Sequence, residues 1–154
     1  MDNSLLPRKN RMFIGEFQHT IDSKGRMAVP AKFRNKLSGG AVITRGLDKC
    51  LFVLAPADWE QFVAKLVALP ISQANSRAFA RFMLAGAADV ELDSQGRILI
   101  PEHLRTYAGV SKDVRVTGVY NRIEIWDAAA WEKYRDETER SSEEIAEKLG
   151  ELGI

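Results

Sequence analysis

Two stretches of the chain repeat one pattern. Residues 15–37 read GEFQHTIDSKGRMAVPAKFRNKL, and residues 86–108 read GAADVELDSQGRILIPEHLRTYA. An ordered series of identities indicates an internal repeat, so the chain contains two copies of one structural unit. The matching pairs are Gly15 and Gly86, Asp22 and Asp93, Ser23 and Ser94, Gly25 and Gly96, Arg26 and Arg97, Pro30 and Pro101, Arg34 and Arg105, and then, one residue out of step, Gly46 and Gly118 and Trp59 and Trp131.

The pattern within each copy predicts an alternation of strands and helices. Apolar and polar side chains alternate through residues 13–21, as in a half-buried strand. The turn sequence Asp-Ser-x-Gly follows, in which Asp can accept hydrogen bonds from turn amides and Gly can take a positive φ. After a second short strand, Pro30 and Pro101 suit the first turn of a short helix, with Phe33 and Leu37 on the inner face of the first one. A hairpin and a closing helix complete the copy.

We predict an α+β fold of two half-domains in tandem, each with the order β-β-α-β-β-α, related by a pseudo-two-fold axis. We expect Ser72 to cap a connecting helix, and Ser141 with Glu144 to form a capping box at the last helix. Half-domains this small leave apolar faces exposed, which predicts pairing of the halves and assembly of subunits. The predicted divisions are a flexible basic N-terminal extension at 1–11, a first half-domain at 12–71, the connecting helix at 72–85, a second half-domain at 86–135 and an acidic helical tail at 136–154.

Composition narrows the classes of function. The 154 residues include one cysteine, Cys50, and two histidines, which excludes an intramolecular disulfide and leaves no plausible zinc site. The sequence shows neither a signal peptide nor an apolar run long enough to cross a membrane. We therefore expect a cytoplasmic protein that is not an enzyme, uses no cofactor or metal, and has neither a membrane nor a small-molecule substrate as its partner.

Charge is distributed unevenly, although the formal net charge is only +1. Residues 1–36 carry eight Lys or Arg against three Asp or Glu, whereas residues 127–154 carry four against nine. A basic part and an acidic end predict one face suited to an anionic partner. An unevenly charged surface that is merely solvated would give the same counts, so charge alone does not decide the function.

The repeated Asp-Ser-x-Gly-Arg loops form the candidate functional site. Arg26 and Arg97 each offer a planar guanidinium that can hold a phosphate or read the O6 and N7 edge of guanine. The Asp of the same loop can hold that arginine or cap the turn, so a purely structural turn is the competing interpretation. Basic residues around the first loop, Lys36 among them, favour nucleic acid. The candidate DNA contacts are Asp22, Ser23, Lys24, Gly25, Arg26, Arg11, Lys32 and Arg34.

The second loop is the less cationic copy and consists of Asp93, Ser94, Gln95, Gly96 and Arg97. It has Gln95 where the first loop has Lys24, and the segment that follows it, residues 102–105, is closer to neutral than residues 32–36. This difference favours the first loop as the DNA contact and a structural role for the second, with Arg97 bracing Asp93. The sequence does not decide which loop contacts DNA.

At these residues the sequence resembles the MraZ family of bacterial transcription regulators, which belong to the AbrB-like swapped-hairpin group of DNA-binding proteins. The resemblance covers residues 12–149 and rests on MFIGEFQHTIDSKGRMAVPAKFR from residue 12, DSQGRILIP from residue 93 and VTGVYNRIEIWD from residue 116. It implies a swapped-hairpin barrel, double-stranded DNA as the partner, and a place in the nucleoid. It also implies a ring-shaped homo-oligomer, an octamer or similar, that binds short direct G-rich repeats at the promoter of the division and cell-wall gene cluster.

Three other interpretations are weighed against this one. A hydrolase with an aspartic dyad is disfavoured, because each Asp has its own arginine four residues on, which favours two ionised carboxylates. An oligomeric assembly module that does not bind DNA is the main alternative. An antitoxin of the same fold is disfavoured by length, because such antitoxins usually carry one half-domain per chain. Salt-dependent retention on DNA would separate a DNA-binding protein from a scaffold.

Overall fold

The computed structural model describes residues 12–153, so the predicted N-terminal extension and Arg11 lie outside the described residues. The architecture is mixed α+β and built on antiparallel strands, as the sequence predicts. Short 3-10 segments lie at Ala31–Phe33, Asn35–Leu37, Leu47–Lys49 and Gly150–Leu152. In chain order the main elements are β1 (Phe13–Thr20), β2 (Arg26–Ala28), β3 (Ala41–Arg45), β4 (Leu51–Leu54), α1 (Pro56–Val67), α2 (Ala74–Ala85), β5 (Ala88–Val90), β6 (Arg97–Leu99), α3 (Glu102–Ala108), β7 (Asp113–Tyr120), β8 (Ile123–Asp127), α4 (Ala128–Arg140) and α5 (Ser142–Leu149).

The strands form a six-stranded antiparallel sheet in the order β1-β7-β8-β4-β3-β5, and β2 and β6 form a separate two-stranded ribbon. The first strand of each copy pairs with the third strand of the other copy, β1 with β7 and β5 with β3. The equivalent strands β4 and β8 pair with each other in the middle of the sheet. The strand order therefore reads the same in both directions when the two copies are exchanged.

The pairing of β1 with β7 depends on a glycine. Gly15 lies opposite Gly118 in the register of the two strands. A Cβ added at Gly118 would lie 2.5 Å from the backbone nitrogen of Ile14, which is closer than any side chain tolerates. Gly118 therefore lets the first strand of one copy approach the third strand of the other.

Both copies contribute to one hydrophobic core. Met27 of β2 and Ile98 of β6 are buried, and they belong to the same cluster as Ile43 of β3. The rings of Phe13 and Phe33 meet edge to face with 5.1 Å between their centroids. Because this cluster is shared, neither copy can bury its apolar surface without the other.

The segments that follow the matching residues Pro30 and Pro101 differ, which corrects the predicted equivalence of the two copies. Residues 31–37 form two 3-10 segments, whereas the second copy forms the α-helix α3. Helix α3 ends at Gly109, whose φ of 64° lets the N–H of Val110 bond to the carbonyl of Arg105 at 3.1 Å. In the first copy the glycine with positive φ that follows Pro30 is Gly40, which comes two residues later than the position that matches Gly109. The backbone hydrogen bonds of residues 31–38 instead join residues three apart, as from the N–H of Leu37 to the carbonyl of Arg34 at 3.1 Å.

Two predicted helix caps are wrong. Helix α2 begins after Gln73, and it does so without a side-chain cap, so Ser72 lies one residue too early. Ser141 makes no capping bond, because it ends α4 with a ψ of 8° and lacks the extended conformation of an N-cap residue. Glu144 pairs instead with Lys148, one turn further along α5, at 3.4 Å.

The connecting helix α2 is fixed to the sheet at its C-terminal end. The hydroxyl of Thr44 donates to the carbonyl of Met83, and Nη1 of Arg45 donates to the carbonyl of Phe82 at 3.0 Å. These bonds satisfy carbonyl groups that have no partner within the last turn of a helix. No helix within residues 12–153 has the length and apolar character needed to span a bilayer.

Candidate nucleic-acid interface

The first loop is a tight turn closed by its own aspartate. Oδ1 of Asp22 accepts hydrogen bonds from the backbone N–H groups of Lys24 and Arg26, both at 2.9 Å. Oδ2 of Asp22 accepts a bond from Nε of Arg26 at 2.8 Å. Gly25 takes the positive φ of 85° that the turn requires. Asp22 therefore caps the turn and holds the arginine at the same time.

The second loop repeats this arrangement atom for atom. Asp93 accepts from the backbone N–H groups of Gln95 and Arg97 at 2.9 Å, and from Nε of Arg97 at 2.8 Å. Gly96 has a φ of 74°. Arg97 was predicted to be structural because it would brace Asp93, but Arg26 makes the same bond to Asp22, so this bond does not distinguish the loops.

Both loop aspartates are held in the ionised form. The hydrogen bond from the backbone N–H of Arg26 contributes most to lowering the pKa of Asp22 below its ordinary value of 3.8, and the side chain of Arg26 lowers it further against partial desolvation. Arg97 lowers the pKa of Asp93 through the same groups. Two carboxylates that both favour ionisation do not share a proton, so they do not form a catalytic dyad.

The ribbon places both arginines on one surface. Side chains that lie directly opposite, and those two residues apart on one strand, share a face. Met27 and Ile98 are buried, whereas Leu99 is 56% exposed, so Arg26 and Arg97 point away from the core. The register pairs Arg26 with Leu99, Met27 with Ile98 and Ala28 with Arg97. Arg26 and Arg97 are therefore diagonal to each other across the ribbon, which places their Cα atoms about 7–8 Å apart.

An arginine of the first copy supports the second loop. Nε of Arg34 donates to the carbonyl of Val29 at 2.9 Å, and the N–H of Val29 donates to the carbonyl of Gly96 at 2.9 Å. A Cβ added at Gly96 would lie 2.5 Å from Cζ of Arg34. The guanidinium therefore packs directly against the turn of the other copy. Arg34 was predicted as a DNA contact, and its Nε is used inside the protein.

The reverse support comes from Arg105, which is not among the functional residues predicted from the sequence. Nε of Arg105 donates to the carbonyl of Ile100 at 3.0 Å, and the N–H of Ile100 donates to the carbonyl of Gly25 at 2.8 Å. A Cβ added at Gly25 would lie 2.9 Å from Cζ of Arg105. The signal was present in the sequence, because Arg34 and Arg105 match in the repeat. Each loop is therefore built from residues of both copies.

The tips of the loops are open to solvent. Ser23 and Lys24 are exposed in the first loop, and Ser94 and Gln95 are exposed in the second. Lys32 is exposed as well. The predicted polar contacts at the two tips are therefore accessible to a partner, and the difference between the tips is the cation of Lys24.

Lys36 was expected to add to a basic surface around the first loop, and the structure shows instead that it is buried. Its side chain is buried, with Nζ 2.9 Å from Oδ2 of Asp58 and 4.6 Å from the centroid of the Phe13 ring. An opposite charge and an aromatic face both stabilise the buried ammonium. Lys36 therefore belongs to the interior and adds no charge to the surface around Lys32.

Cys50 and His19 occupy packing positions. Cys50 is fully buried, and burial raises the pKa of its thiol far above the ordinary range. Burial, and then the charge of Arg34, lowers the pKa of His19, so the imidazole is neutral at neutral pH. Neither side chain has the activated form that a nucleophile or a general acid needs.

Comparison with known families identifies the repeat. The model of the family described as "MraZ protein, putative antitoxin-like" matches the chain twice, over residues 12–82 and residues 83–151. The chain belongs to the MraZ family. Proteins named Transcriptional regulator MraZ are 51% identical to it in Acetivibrio thermocellus, 52% in Thermoanaerobacter pseudethanolicus and 50% in Halothermothrix orenii. Each of these alignments spans 143 residues, which are 93% of this chain and 100% of the relative.

The MraZ match confirms two predictions from the sequence. The chain consists of two MraZ repeats, and the first match begins at residue 12, where the resemblance was expected to begin. MraZ is a family of transcription regulators and not of enzymes, which agrees with the absence of a catalytic role for the loop aspartates. The boundary between the two matches lies within α2.

Proposed function

We propose that this MraZ chain is a sequence-specific DNA-binding transcription regulator, and that the ribbon of β2 and β6 contacts double-stranded DNA. The observation that carries the proposal is the outward orientation of Arg26 and Arg97, each braced through Nε by its own aspartate. Within residues 12–153 the Nη groups of both arginines have no protein partner, so each can donate two N–H bonds to guanine or to a phosphate. Because the bracing already fixes both side chains, less rotamer entropy is lost on binding.

Both loops are proposed to contact DNA, since their internal geometry is the same. Lys24 and Lys32 are exposed near the first loop and add attraction for phosphate there. Arg11 is a further proposed contact, and it lies outside the described residues. Asp22, Gly25 and their counterparts shape the loops, and the seryl and glutaminyl side chains at the tips are proposed to bond phosphate or base edges.

The proposed target is the promoter of the division and cell-wall gene cluster, where the protein binds short direct G-rich repeats within the nucleoid. The names of the relatives support a role in transcription. The chemistry of the ribbon supports guanine, because an arginine fork matches the O6 and N7 acceptors of that base in the major groove. The family resemblance supports the promoter and the repeated arrangement of sites.

The proposed fold of the two repeats is the swapped-hairpin barrel. Exchange of first strands between the copies supports it, since β1 and β5 each pair with a strand of the other copy. A ring-shaped homo-oligomer is the proposed assembly. It is supported by exposed apolar side chains such as Ile71, which is 83% exposed. A ring would present several ribbons to several repeats at once and so raise the overall affinity.

A mobility-shift titration with the DNA upstream of this protein's own gene tests the proposal. The control is a scrambled fragment of the same length and base composition. We expect a shift of the promoter fragment at protein concentrations where the scrambled fragment stays free, and we expect the shift to weaken as salt rises. Equal retention of both fragments would contradict sequence specificity. An intact oligomer that retains neither fragment at low salt would establish the assembly module instead.

A further inference from the structure

Two apolar surfaces on the chain are left without a partner. Of the twelve large hydrophobic side chains that are exposed in the described residues, six fall into these two places. We name them the helix surface and the groove. The helix surface consists of Ile145, Leu149 and Leu152, and the groove is lined among others by Val67, Leu69 and Ile71.

The helix surface lies on a segment that has little contact with the rest of its own chain. Every residue from 136 to 153 is exposed, including both ends of α5. Ile145 and Leu149 are 41% and 39% exposed, and Leu152 is 79% exposed. Ile145 and Leu149 are four residues apart and share one side of α5, and Leu152 follows in the 3-10 segment Gly150–Leu152. Apolar side chains along one side of a helix are the arrangement of a helix that inserts into a groove.

The groove lies between α1 and α2 and has a volume of about 240 Å³. Its floor is the buried side chain of Leu66, and Val67 and Ile71 are 67% and 83% exposed at its rim. Nη1 of Arg77 donates to the carbonyl of Ile71 at 3.2 Å, which holds the connection between the two helices in place. The groove is therefore preformed, apolar inside and cationic at one side.

The charges of the two surfaces are opposite. Residues 61–88, which contain the groove, carry Lys65, Arg77 and Arg81 and no Asp or Glu. Residues 141–153, which contain the helix surface, carry four Glu and one Lys. Pairing of two α5 helices with each other would bring like charges together, whereas docking of α5 in the groove brings opposite charges together.

We infer that α5 of one protomer docks in the α1–α2 groove of a second copy of this chain. The contact joins two different surfaces, so every copy offers one groove and one helix, and repetition of the contact closes a ring or extends a filament. This inference rests on the oligomer proposed above and names the surfaces that would hold it together. It also gives a role to the acidic tail, which the sequence alone marked only as a helical extension.

Light scattering at micromolar concentration tests the inference with three variants of the full chain. The helix variant is Ile145→Ser with Leu149→Ser, the groove variant is Val67→Ser with Ile71→Ser, and the control is Leu47→Ser, which removes a side chain that is 53% exposed outside both surfaces. Thermal unfolding confirms that each variant is folded. We expect the helix and groove variants to fall toward the mass of one 17.2 kDa chain while the control keeps the mass of wild type.

A mixture of the helix variant and the groove variant gives the sharper result. The groove variant still has an intact helix and the helix variant an intact groove, so one productive contact forms and we expect a one-to-one dimer. Dissociation of the helix variant alone, with the groove variant still assembled, would overturn the inference in favour of another site for α5. Unchanged mass in both variants would overturn it as well. Shift assays on DNA with a single repeat test the regulator separately, since each protomer carries its own ribbon.

Discussion

At the scale of single residues, the site depends on how one aspartate is shared between a turn and an arginine. Asp22 uses Oδ1 for the amides of the turn and Oδ2 for Nε of Arg26, so a shift of the turn also moves the guanidinium. The bonded pair is about one-third exposed, and exposed ion pairs contribute little to stability. The value of this arrangement therefore lies in positioning the arginine and not in stabilising the fold.

Replacing Arg26 with Ala is expected to weaken operator binding by about 1–3 kcal/mol for each engaged protomer, or roughly 5- to 150-fold, through loss of one bidentate guanine contact. Arg26→Lys is the matched control, because lysine keeps the charge and loses the planar fork. Fluorescence anisotropy with operator and scrambled DNA measures both variants, with Arg97→Ala in parallel. Wild-type affinity of a folded Arg26→Ala protein would remove the first loop from the interface.

The lowered pKa values of Asp22 and Asp93 predict a pH dependence of stability. A carboxyl whose pKa in the folded protein lies below its unfolded value of 3.8 contributes stability above pH 3.8 and loses this contribution as pH falls through the folded pKa. We expect the wild type to exceed the Asp22→Asn, Asp93→Asn double variant in free energy of unfolding by a constant amount between about pH 5 and pH 7. Below pH 3.8 this difference should narrow. Urea titrations across that range measure it, and a difference that widens in acid would show that the carboxylates are not stabilised by folding.

At the scale of elements, the ribbon turns two separate loops into one surface. Arg34 and Arg105 each reach across the ribbon and pack against the glycine of the opposite loop. A guanidinium packed on the turn leaves little room for a side chain there. Each loop therefore has two reasons to carry glycine, the positive φ of the turn and the closely packed arginine. Movement of one loop is therefore coupled to the packing of the other copy.

Gly96→Ala tests this packing, with Gly109→Ala as the matched control. Both glycines have a positive φ, 74° and 64°, so both substitutions strain the backbone. Only at Gly96 does the new Cβ also meet a neighbour, 2.5 Å from Cζ of Arg34, whereas nothing lies within 4 Å at Gly109. We expect Gly96→Ala to cost about 0.5–1.5 kcal/mol more than Gly109→Ala, because the guanidinium of Arg34 must give up its bond to the carbonyl of Val29 in order to move away.

A double-mutant cycle completes the test. Arg34→Ala removes the side chain that the new Cβ meets, so we expect it to recover part of the loss in the Gly96→Ala background, even though it destabilises the wild type. Chemical denaturation of the four proteins gives the coupling free energy. Additive effects of the two substitutions would show that Arg34 does not pack against Gly96 in solution.

The local sequence pattern predicted the strands and turns, but it did not predict that the first strand of each copy pairs with a strand of the other copy. The alternation through residues 13–21, the Asp-Ser-x-Gly turn and the hairpin that ends at Leu54 are local features, and the structure has a strand, a turn and a hairpin there. The pairing of β1 with β7 depends on contacts distant in sequence, which no local period encodes. Lys36 was misplaced for the same reason, since its partner Asp58 lies in the next helix but one. The repeat itself did carry the missed residue, because Arg105 matches Arg34.

At the scale of the whole molecule, the charges are separated between the ribbon and the tail. The ribbon presents Arg26 and Arg97, with Lys24 and Lys32 beside the first loop, whereas residues 136–153 are exposed and carry seven acidic against two basic residues. An acidic segment held against DNA would be repelled, so the proposed complex keeps the tail away from the duplex. The two loops have the same internal bonds, and their tips differ in charge through the exchange of Lys24 for Gln95.

That asymmetry predicts how the dependence of binding on salt divides between the loops. Each lysine or arginine that neutralises a phosphate contributes about −0.9 to the slope of log affinity against log salt. We expect Lys24→Gln, which copies the second loop, to flatten the slope by about 0.9 for each engaged protomer, and Gln95→Lys to steepen it by a similar amount. Gln95→Ala is the control and should leave the slope unchanged, because it removes no charge. Titrations on one operator fragment at four salt concentrations give the slopes. If Lys24→Gln keeps the wild-type slope while Gln95→Lys steepens it, the second loop lies nearer the phosphates than the first, and the preference that the sequence gives to the first loop is reversed.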